Sequence, residues 1–500
     1  MRARRRLLPL IPALTVLVSC FGFWCYRHGF ILYYGDAVSH LNNSRSLIDS
    51  RTPGYEQLGT PWLPMLHVLC LPFVGNDFLW STGLAGTIPA ACCFVIAGSC
   101  FFFAARDWYR SDLAAAVTAA CFALNPNILY LAVIPMTESV FFAGLSVLLL
   151  AVLRFRSTQH KLWIALAIAS SWFTSLTRYD GWFLIPFLAL WLALSAPRRR
   201  YLTFILITAA LSLAPLYWLA HNWWLTNNSL DFYNGPYSAA AIQGSAWYPG
   251  YHDWLAAAAY YFTACRLCAG FMLLLVAIAG AYCGYRRHKL QPLLFLLLTP
   301  LFYIWSVHSS KLPIHVPPLW PFTYYNTRYG TALIPFCAFA AGASVLCLTP
   351  KWKKFSFAIP LLAVLPWLLH PSRQRWICWK ESEVNSVDRR AWTESAARFL
   401  AAHYRSGQGI LTSTGDVGGI YCRARIHLAE TINIGNGPLW FAATRRPDLF
   451  HPGAWAIMQK DDLLYKALGH APKPTTYSKI LTISTTKFSP DLEIYTRQIP

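Results

Sequence analysis

Apolar runs of about 20 residues, long enough to cross a lipid bilayer as helices, recur through most of this 500-residue chain. Hydrophobic residues make up 56% of the sequence and charged residues 13%, whereas soluble domains carry about 25% charged residues. We therefore expect an integral membrane protein, built as an all-α polytopic bundle of about eleven transmembrane helices. The expected spans are 7–25, 80–105, 113–133, 139–155, 161–177, 182–196, 201–224, 263–284, 290–307, 329–348 and 355–370.

The net charge of the chain is +21, and its basic and acidic residues lie in alternating connections between the expected spans. Lys and Arg cluster near the N-terminus and in every second connection, and the remaining connections hold most of the acidic residues. Because Lys and Arg stay on the cytoplasmic side, this pattern predicts a cytoplasmic N-terminus, an extracytoplasmic C-terminal region and a place in the cell membrane. The excess of Lys and Arg is therefore explained by membrane topology, and we expect no nucleic-acid partner. The clusters are Arg106/Arg110, Arg154/Arg156/Lys161, Arg198–Arg200, Arg286/Arg287/Lys289 and Lys351/Lys353/Lys354.

A cleaved signal peptide is the competing interpretation of residues 1–25, which combine a basic start with an apolar run. Removing that run would place the remaining loop charges on the wrong sides of the membrane. The sequence therefore favours a retained first span.

The composition changes after Leu369. Residues 371–500 contain 17 Lys or Arg and 11 Asp or Glu, enough for a solvated domain. We expect a transmembrane domain over 1–370 and a small extracytoplasmic α/β domain over 371–500. The patterns within the second domain predict an amphipathic helix over 386–404, a turn over 414–419, and strands over 409–413, 480–483 and 492–495.

Three segments on the expected outer face are too long to be tight connections: 26–77, 225–261 and 308–328. The first includes residues 60–67, an apolar run with two prolines that indicates an interfacial or re-entrant piece. Long loops in a compact protein are usually functional. We therefore expect the active site on this face.

Two carboxylates on the outer face are the candidate catalytic residues. Asp36 lies about ten residues beyond the first span, and Glu138 precedes the fourth span in Pro135-Met136-Thr137-Glu138. Glu138 lies just inside an apolar run, where ionisable groups are costly and usually functional. A carboxylate can serve as a general base. For Glu138, the alternative is a charge that complements the start of a helix.

Arg178, Lys311 and Arg328 lie where spans meet the same face. Cations of this kind can neutralise a departing phosphate. Two carboxylates with several cations therefore fit an attack on a phosphate-linked carbon. For Arg178 and Lys311, anchoring to lipid headgroups is the alternative.

Metal-ligand patterns in the sequence are weak. Cys265 and Cys268 form a C-x-x-C, but no second pair completes a zinc site. His40, His67 and His315 are more typical of ordinary hydrogen-bonded histidines than of metal ligands. Most of the 14 cysteines lie within expected spans, where a buried thiol serves as a small apolar side chain.

Two further cysteines, Cys378 and Cys422, lie in the expected extracytoplasmic region. They could form a disulfide in an oxidising compartment. The sequence leaves this pairing open.

Three motifs together resemble the GT-C class of integral membrane glycosyltransferases. They are an Asp-containing first outer loop (Asp36), a Pro-x-x-Glu turn before the fourth span (Glu138), and an Arg-Tyr pair that opens a late span (Arg328-Tyr329). More narrowly, the chain is similar to the bacterial and archaeal relatives of protein O-mannosyltransferases and aminoarabinose transferases. The resemblance covers residues 1–370, and the C-terminal domain is matched only in position.

This resemblance implies transfer of a sugar from a polyprenyl-phosphate donor to a lipid, glycan or protein acceptor, usually with inversion at the anomeric carbon. Asp36 would be the general base, and Glu138 would orient the acceptor or a cation. Arg328 would bind the donor phosphate, and Lys311 and Arg178 are further candidates for that contact. Besides the donor and the acceptor, the expected partners are membrane lipids.

The family's Lys-Pro element of the first loop is not visible in this sequence, and residues 57–62 occupy its place. Gln57, Trp62, His40 and Tyr329 complete the candidate substrate-binding residues. No set of metal ligands is apparent. A divalent cation near Asp36 and Glu138 is the one cofactor that the resemblance leaves open.

Two other classes of protein share these general features. An oligosaccharide ligase or polymerase would use the same carrier but transfer a preassembled glycan. A lipid-linked sugar flippase or other transporter would be expected to carry ionisable groups in mid-membrane or paired broken helices. The sequence shows neither feature, so it favours an enzyme over a transporter.

Overall fold

The computed structural model describes residues 10–413, 415–471, 476–486 and 489–497. These residues form two compact units. The first contains the described residues up to Cys25, Thr60–Met65 and Ile88–Glu381. The second contains Tyr26–Gly59, Leu66–Thr87 and the described residues from Ser382 onward. Tyr26–Gly59 and Leu66–Thr87 therefore group with the C-terminal residues. The predicted domain boundary near residue 370 stays a prediction.

The first unit is helical. Its helices are Leu10–Arg27 and Leu84–Tyr109, which both extend into the second unit, then Asp112–Ala123, Pro126–Leu131, Thr137–Thr158, Lys161–Ser175, Asp180–Ser195, Arg200–Thr226, Asp231–Asn234, Ala239–Gln243, Trp254–Ala269, Phe271–Arg286, Gln291–Leu296, Leu298–Ser309, Ile334–Ser344, Pro350–Lys353, Ala358–Leu369 and the first part of Ile377–Val384. A 3₁₀ segment, Thr327–Leu333, leads into Ile334–Ser344.

The chain is a multi-pass membrane protein. Among the described residues, six helical segments are long and apolar enough to cross a bilayer, and a bent pair brings the number to seven. The expected count of eleven stays a prediction. The six are Leu10–Arg27, Leu84–Tyr109, Thr137–Thr158, Arg200–Thr226, Gln291–Ser309 and Thr327–Cys347.

Two predicted spans are interrupted. The span expected over 263–284 falls on two helices, Trp254–Ala269 and Phe271–Arg286, that meet at 103°. The residue between them is Gly270, with φ +80°, a backbone conformation that glycine adopts without a steric cost. The span expected over 113–133 is broken at Asn125, which caps the helix that Pro126 begins. The expectation that the sequence holds no broken helices is therefore wrong.

The second unit combines short helices with one mixed five-stranded sheet. The strands are β1 (Ile410–Thr412), β2 (Thr431–Ile432), β3 (Trp455–Gln459), β4 (Tyr477–Ile483) and β5 (Leu492–Arg497). Their order is β2-β1-β3-β5-β4, with β1 parallel to β2 and β3, and with β5 antiparallel to β3 and β4. The helices are Gly35–Ser46, Met65–Val74, Asp77–Thr82, the end of Ile377–Val384, Val387–His403, Gly418–Ala424, Pro438–Arg445 and Leu463–Gly469.

The α/β pattern predicted for the C-terminal residues is confirmed in its main elements. The helix over 386–404 and the strands over 409–413, 480–483 and 492–495 are present. The predicted turn over 414–419 leads from β1 into the helix Gly418–Ala424, although residue 414 lies outside the described residues. The strands β2 and β3 were not predicted from the sequence. Among the described residues no cysteine forms a disulfide, so the pairing of Cys378 with Cys422 is not present.

A close helix contact in the first unit depends on a glycine. A Cβ added to Gly280 would lie 1.8 Å from the carbonyl oxygen of Ala340, on the helix Ile334–Ser344. Small residues allow membrane helices to approach with their backbones in contact. The two helices can therefore pack at this distance only while residue 280 lacks a side chain.

We expect Gly280→Ala to lower the unfolding free energy by about 1–3 kcal/mol, because the helices must separate to admit the methyl group. Thermal unfolding of the purified protein in detergent would measure the change as a lower Tm. The control is Gly284→Ala, four residues along the same helix, where the nearest atom is the flexible Leu293 Cδ1 at 3.2 Å. An equal Tm for the two variants would contradict the close contact.

Candidate functional site

A buried carboxylate, Glu138, joins two arginines in the first unit. It lies in the first turn of the helix Thr137–Thr158. Its Oε1 atom is 3.0 Å from Arg178 Nη1 and 3.3 Å from Arg328 Nε. Arg178 follows the helix Lys161–Ser175, and Arg328 lies in the 3₁₀ segment Thr327–Leu333. One carboxylate oxygen thus connects three segments that are distant in sequence.

Each arginine also contacts a second carboxylate. Arg178 Nε is 3.5 Å from Asp180 Oδ1, and the Tyr303 hydroxyl donates to Asp180 Oδ2 at 3.1 Å. Glu381 accepts from Arg328 twice, from the backbone N–H at 3.1 Å and from Nη1 at 3.3 Å. The cluster therefore contains three carboxylates and two guanidinium groups. Four of these side chains are almost completely buried, and the fifth, Arg178, is 13% exposed.

Aromatic rings form one side of the cluster. The Tyr329 ring centroid is 5.2 Å from the guanidinium carbon of Arg178 and 5.2 Å from that of Arg328. Tyr303 stacks on Tyr329 at 4.9 Å, and Tyr261 stacks on Tyr303 at 5.7 Å. These faces attract the cations and exclude water, so the electrostatic interactions here are stronger than at the surface.

The carboxylate of Glu138 has one oxygen still available. Among the described residues, Oε2 is buried and accepts no hydrogen bond. It lies beside a cavity of about 10 Å³ lined by residues of the cluster, which is close to the smallest space that holds one water molecule. A buried acceptor without a donor is unusual in a folded protein. Glu138 Oε2 is thus a candidate contact for a small polar group.

Of the predicted site residues in the first unit, the structure brings together Glu138, Arg178, Arg328 and Tyr329. Lys311 lines a different cavity, of about 380 Å³, and its Nζ donates to the carbonyl oxygen of Gly244 at 3.1 Å. Trp62 is half-buried in the short stretch Thr60–Met65 of this unit.

Three predicted site residues lie in the second unit. Asp36 is half-buried in the first turn of the helix Gly35–Ser46. His40 lies one turn further along the same helix, is buried, and forms a hydrogen bond of 3.0 Å with His67. The Gln57 amide donates to the carbonyl oxygens of Thr52 and Gly435, both at 2.9 Å. The predicted catalytic residues, Asp36 and Glu138, thus belong to different units.

The buried His67 imidazole favours its neutral form. His67 lies in the helix Met65–Val74, whose ten residues span about 15 Å and cannot cross a bilayer. Burial, reinforced by the neighbouring His40, holds the pKa of the His67 imidazole well below its usual range. Within the described ranges, no group of three or more His, Cys, Asp or Glu side chains is placed to hold a metal ion. No step proposed below involves a metal.

Asp180, Tyr303 and Glu381 belong to the site but were not predicted from the sequence. Asp180 directly follows the candidate Arg178 and Tyr179, and this position is the signal that could have identified it. Tyr303 resembles any other aromatic residue of an apolar run. Glu381 lies in Trp379-Lys380-Glu381-Ser382, a polar stretch that matches no motif, so only the fold identifies it.

Comparison with solved structures places this fold among known proteins. The chain is similar to the crystal structure of ArnT from Cupriavidus metallidurans bound to undecaprenyl phosphate, with a TM-score of 0.61 and 14% sequence identity over 96% of this chain and 97% of that one. The apo state of the same ArnT gives a TM-score of 0.55 and 14% identity over 98% of both chains. The resemblance to the GT-C class predicted from the sequence is confirmed at the level of the fold.

No protein-family model matches the sequence. No curated protein matches it either. The similarity is therefore carried by the arrangement of the elements.

The site predicts a strong dependence on Glu381. We expect Glu381→Gln to lower the unfolding free energy by roughly 3–5 kcal/mol, because it removes one charge from a buried ion pair and turns an amide group toward N–H donors. Thermal unfolding in detergent would measure this as a lower Tm. Glu56→Gln, at an exposed position, is the matched control and should unfold like the wild type. A Tm for Glu381→Gln equal to that of the control would show that the buried pair contributes little.

Proposed function

We propose that this protein transfers a sugar from a polyprenyl-phosphate-linked donor to an acceptor at the extracytoplasmic face of the cell membrane. The observation that carries the proposal is the likeness in fold to ArnT over 96% of this chain. That ArnT was crystallised with undecaprenyl phosphate, a polyprenyl phosphate of the class that remains when such a donor gives up its sugar. The side of the membrane follows from the alternating Lys and Arg clusters of the sequence.

In this proposal Asp36 is the general base. A hydroxyl or amine of the acceptor attacks the anomeric carbon, the new bond forms there, and the bond from that carbon to the phosphate oxygen breaks. The acceptor's proton passes to the Asp36 carboxylate, and the polyprenyl phosphate leaves with the bonding electron pair. Asp36 suits this role because it is half-buried at a helix start, where a substrate can reach it. His40, Gln57 and Trp62 are proposed to contact the substrates.

Glu138 suits a positioning role better than a basic one. Its Oε1 accepts from Arg178 Nη1 at 3.0 Å and lies 3.3 Å from Arg328 Nε in an ion pair, so this oxygen is already engaged. Its Oε2 has no donor within the described structure and remains available to orient a polar group of a substrate. We propose that Glu138 holds such a group with Oε2 while the two arginines hold Glu138.

The contacts of Arg328 suggest an indirect role. Its side chain is 9% exposed and already lies within 3.3 Å of Glu138 and Glu381. A phosphate ligand must turn at least part of its guanidinium toward the substrate. We therefore propose that Arg328 and Arg178 act mainly through Glu138. Lys311, which lines a larger cavity with Ser309 and Ser310, is the better candidate for direct contact with the donor phosphate.

A lipid-linked sugar transporter is the second candidate function. The observation in its favour is the helix pair that bends by 103° between Ala269 and Phe271, because paired broken helices are a feature of transporters. Purified protein in detergent distinguishes the two functions. An enzyme forms a glycosylated acceptor without a membrane barrier, whereas a transporter leaves the donor intact.

We expect Asp36→Asn to reduce sugar transfer by about 10²–10⁴-fold, because the amide keeps the shape of the side chain but cannot accept the acceptor's proton. The assay would follow purified protein with radiolabelled polyprenyl-phosphate sugars and a lipid extract as the source of acceptors. Donor binding should change little.

The control for this variant is Asp253→Asn. Asp253 is exposed and caps the helix Trp254–Ala269, and asparagine caps helices equally well. Wild-type turnover in Asp36→Asn would remove Asp36 from the mechanism. Transfer of a complete oligosaccharide by the wild type would instead favour the ligase or polymerase.

Arg328→Lys separates the two roles proposed for that residue. If Arg328 positions Glu138, turnover should fall by about tenfold or more while the KM for the donor stays near wild type, since lysine cannot reproduce the guanidinium geometry. Glu138→Gln should show the same pattern. A donor KM that rises in parallel with the loss of turnover would favour direct contact with the phosphate.

A further inference from the structure

A cavity of about 660 Å³ lies in the second unit and is lined only by residues of that unit. Arg27 and His28 contribute one side, where the helix Leu10–Arg27 ends. Arg389 and Arg390, from the helix Val387–His403, contribute another. None of the residues to which we assign a role in sugar transfer is among its lining residues. The cavity therefore needs an explanation of its own.

The charge of the lining is strongly positive. Four arginines line the cavity, against a single acidic residue, Glu394. Glu394 is 2.8 Å from Arg423, and Arg389 contacts the exposed Asp416 at 3.4 Å. Within the described ranges, neither Arg27 nor Arg390 forms an ion pair with a carboxylate. Two cations at this cavity thus remain available to an anionic ligand.

Arg390 is held in place without being neutralised. Its guanidinium carbon lies 4.0 Å from the centroid of the Tyr33 ring, and Nη1 donates to the Tyr33 hydroxyl at 3.1 Å. Its Nε donates to Ser386 Oγ at 3.0 Å. All these partners are uncharged. The cation is therefore fixed in orientation, which lowers the entropic cost of binding an anion.

The position of the cavity along the chain points to a lipid as the source of that anion. Arg27 ends the first apolar helix, and Ser81 and Thr82 precede the apolar helix Leu84–Tyr109. Residues at the ends of membrane-spanning helices lie at the depth of lipid headgroups. Apolar side chains of Ile31 and Leu32 also line the cavity, as suits the glycerol and first acyl carbons of a lipid.

We propose that this cavity binds the phosphate-bearing headgroup of an anionic membrane lipid. The arginines contact the phosphate, for which the fork of donors on a guanidinium is well matched. The site is separate from the proposed sugar transfer and does not depend on it. A lipid held there would stabilise the unit that contains Asp36.

Native mass spectrometry of the full chain in neutral detergent tests this proposal. The probes are dioleoyl phosphatidate and dioleoyl phosphatidylcholine, with Arg27→Gln, Arg390→Gln and the double variant. We expect tighter binding of phosphatidate than of phosphatidylcholine to the wild type, about fivefold weaker phosphatidate binding for each arginine removed, and a larger loss in the double variant.

Arg398→Gln is the matched control, since Arg398 lies on the same helix as Arg390 but is 73% exposed and does not line the cavity. Phosphatidate binding by the double variant equal to that of this control would overturn the proposal. Displacement of phosphatidate by an equal concentration of inorganic phosphate would overturn the assignment to a lipid. If the double variant does not fold, the single variant Arg27→Gln decides the test, because Arg27 is exposed and its side chain forms no hydrogen bond or ion pair within the described structure.

Discussion

The shared Glu138 carboxylate is the interaction on which the first unit depends. Charged groups buried in an apolar bundle are stable only when each has partners. Glu138, Arg178, Arg328, Asp180 and Glu381 meet this requirement together. They come from a helix start, the turn between two helices, a 3₁₀ segment and the helix Ile377–Val384. Because moving one segment would leave charges without partners, the cluster fixes the ends of several helices relative to one another.

The need of a buried charge for partners also distinguishes the roles of Asp36 and Glu138. A general base must release its lone pair to a proton during the reaction. Glu138 is buried, and one of its oxygens is engaged by two guanidinium groups that come from other segments of the bundle. Asp36 lies at the start of a short helix and is partly exposed. We therefore propose proton transfer by Asp36 and orientation of a substrate group by Glu138.

The sequence predicted those features that depend on composition and on local pattern. Apolar runs identify a membrane protein, apolar residues on one side identify the amphipathic helix over 386–404, and short local patterns identify three of the five strands. It could not predict the break at Gly270, because hydropathy averaged over a span is insensitive to one residue with a positive φ. Glu138 and Arg328 were found from motifs at the ends of spans. Their contact with each other and with Glu381 was not, because pairing between distant segments is set by tertiary packing.

The break at Gly270 has a structural explanation within the first unit. The carbonyl oxygen of Cys268, near the end of the helix Trp254–Ala269, accepts from the side chains of Asn125 and Asn127 at 3.0 and 2.9 Å. These bonds satisfy a group that a continuous helix would have paired internally.

The same helix also supports the charged cluster. A Cβ on Gly330 would lie 2.4 Å from the backbone of Ala264, so the 3₁₀ segment that carries Arg328 packs directly against this helix. Tyr261, from the same helix, stacks on Tyr303. A continuous helix would have to follow one axis through the bundle, whereas the bent pair can place Trp254–Ala269 against the cluster and Phe271–Arg286 against the helix Ile334–Ser344. The bend at Gly270 thus allows this helix to pack against Glu138 and its arginines. This packing explains the bend without a role in transport.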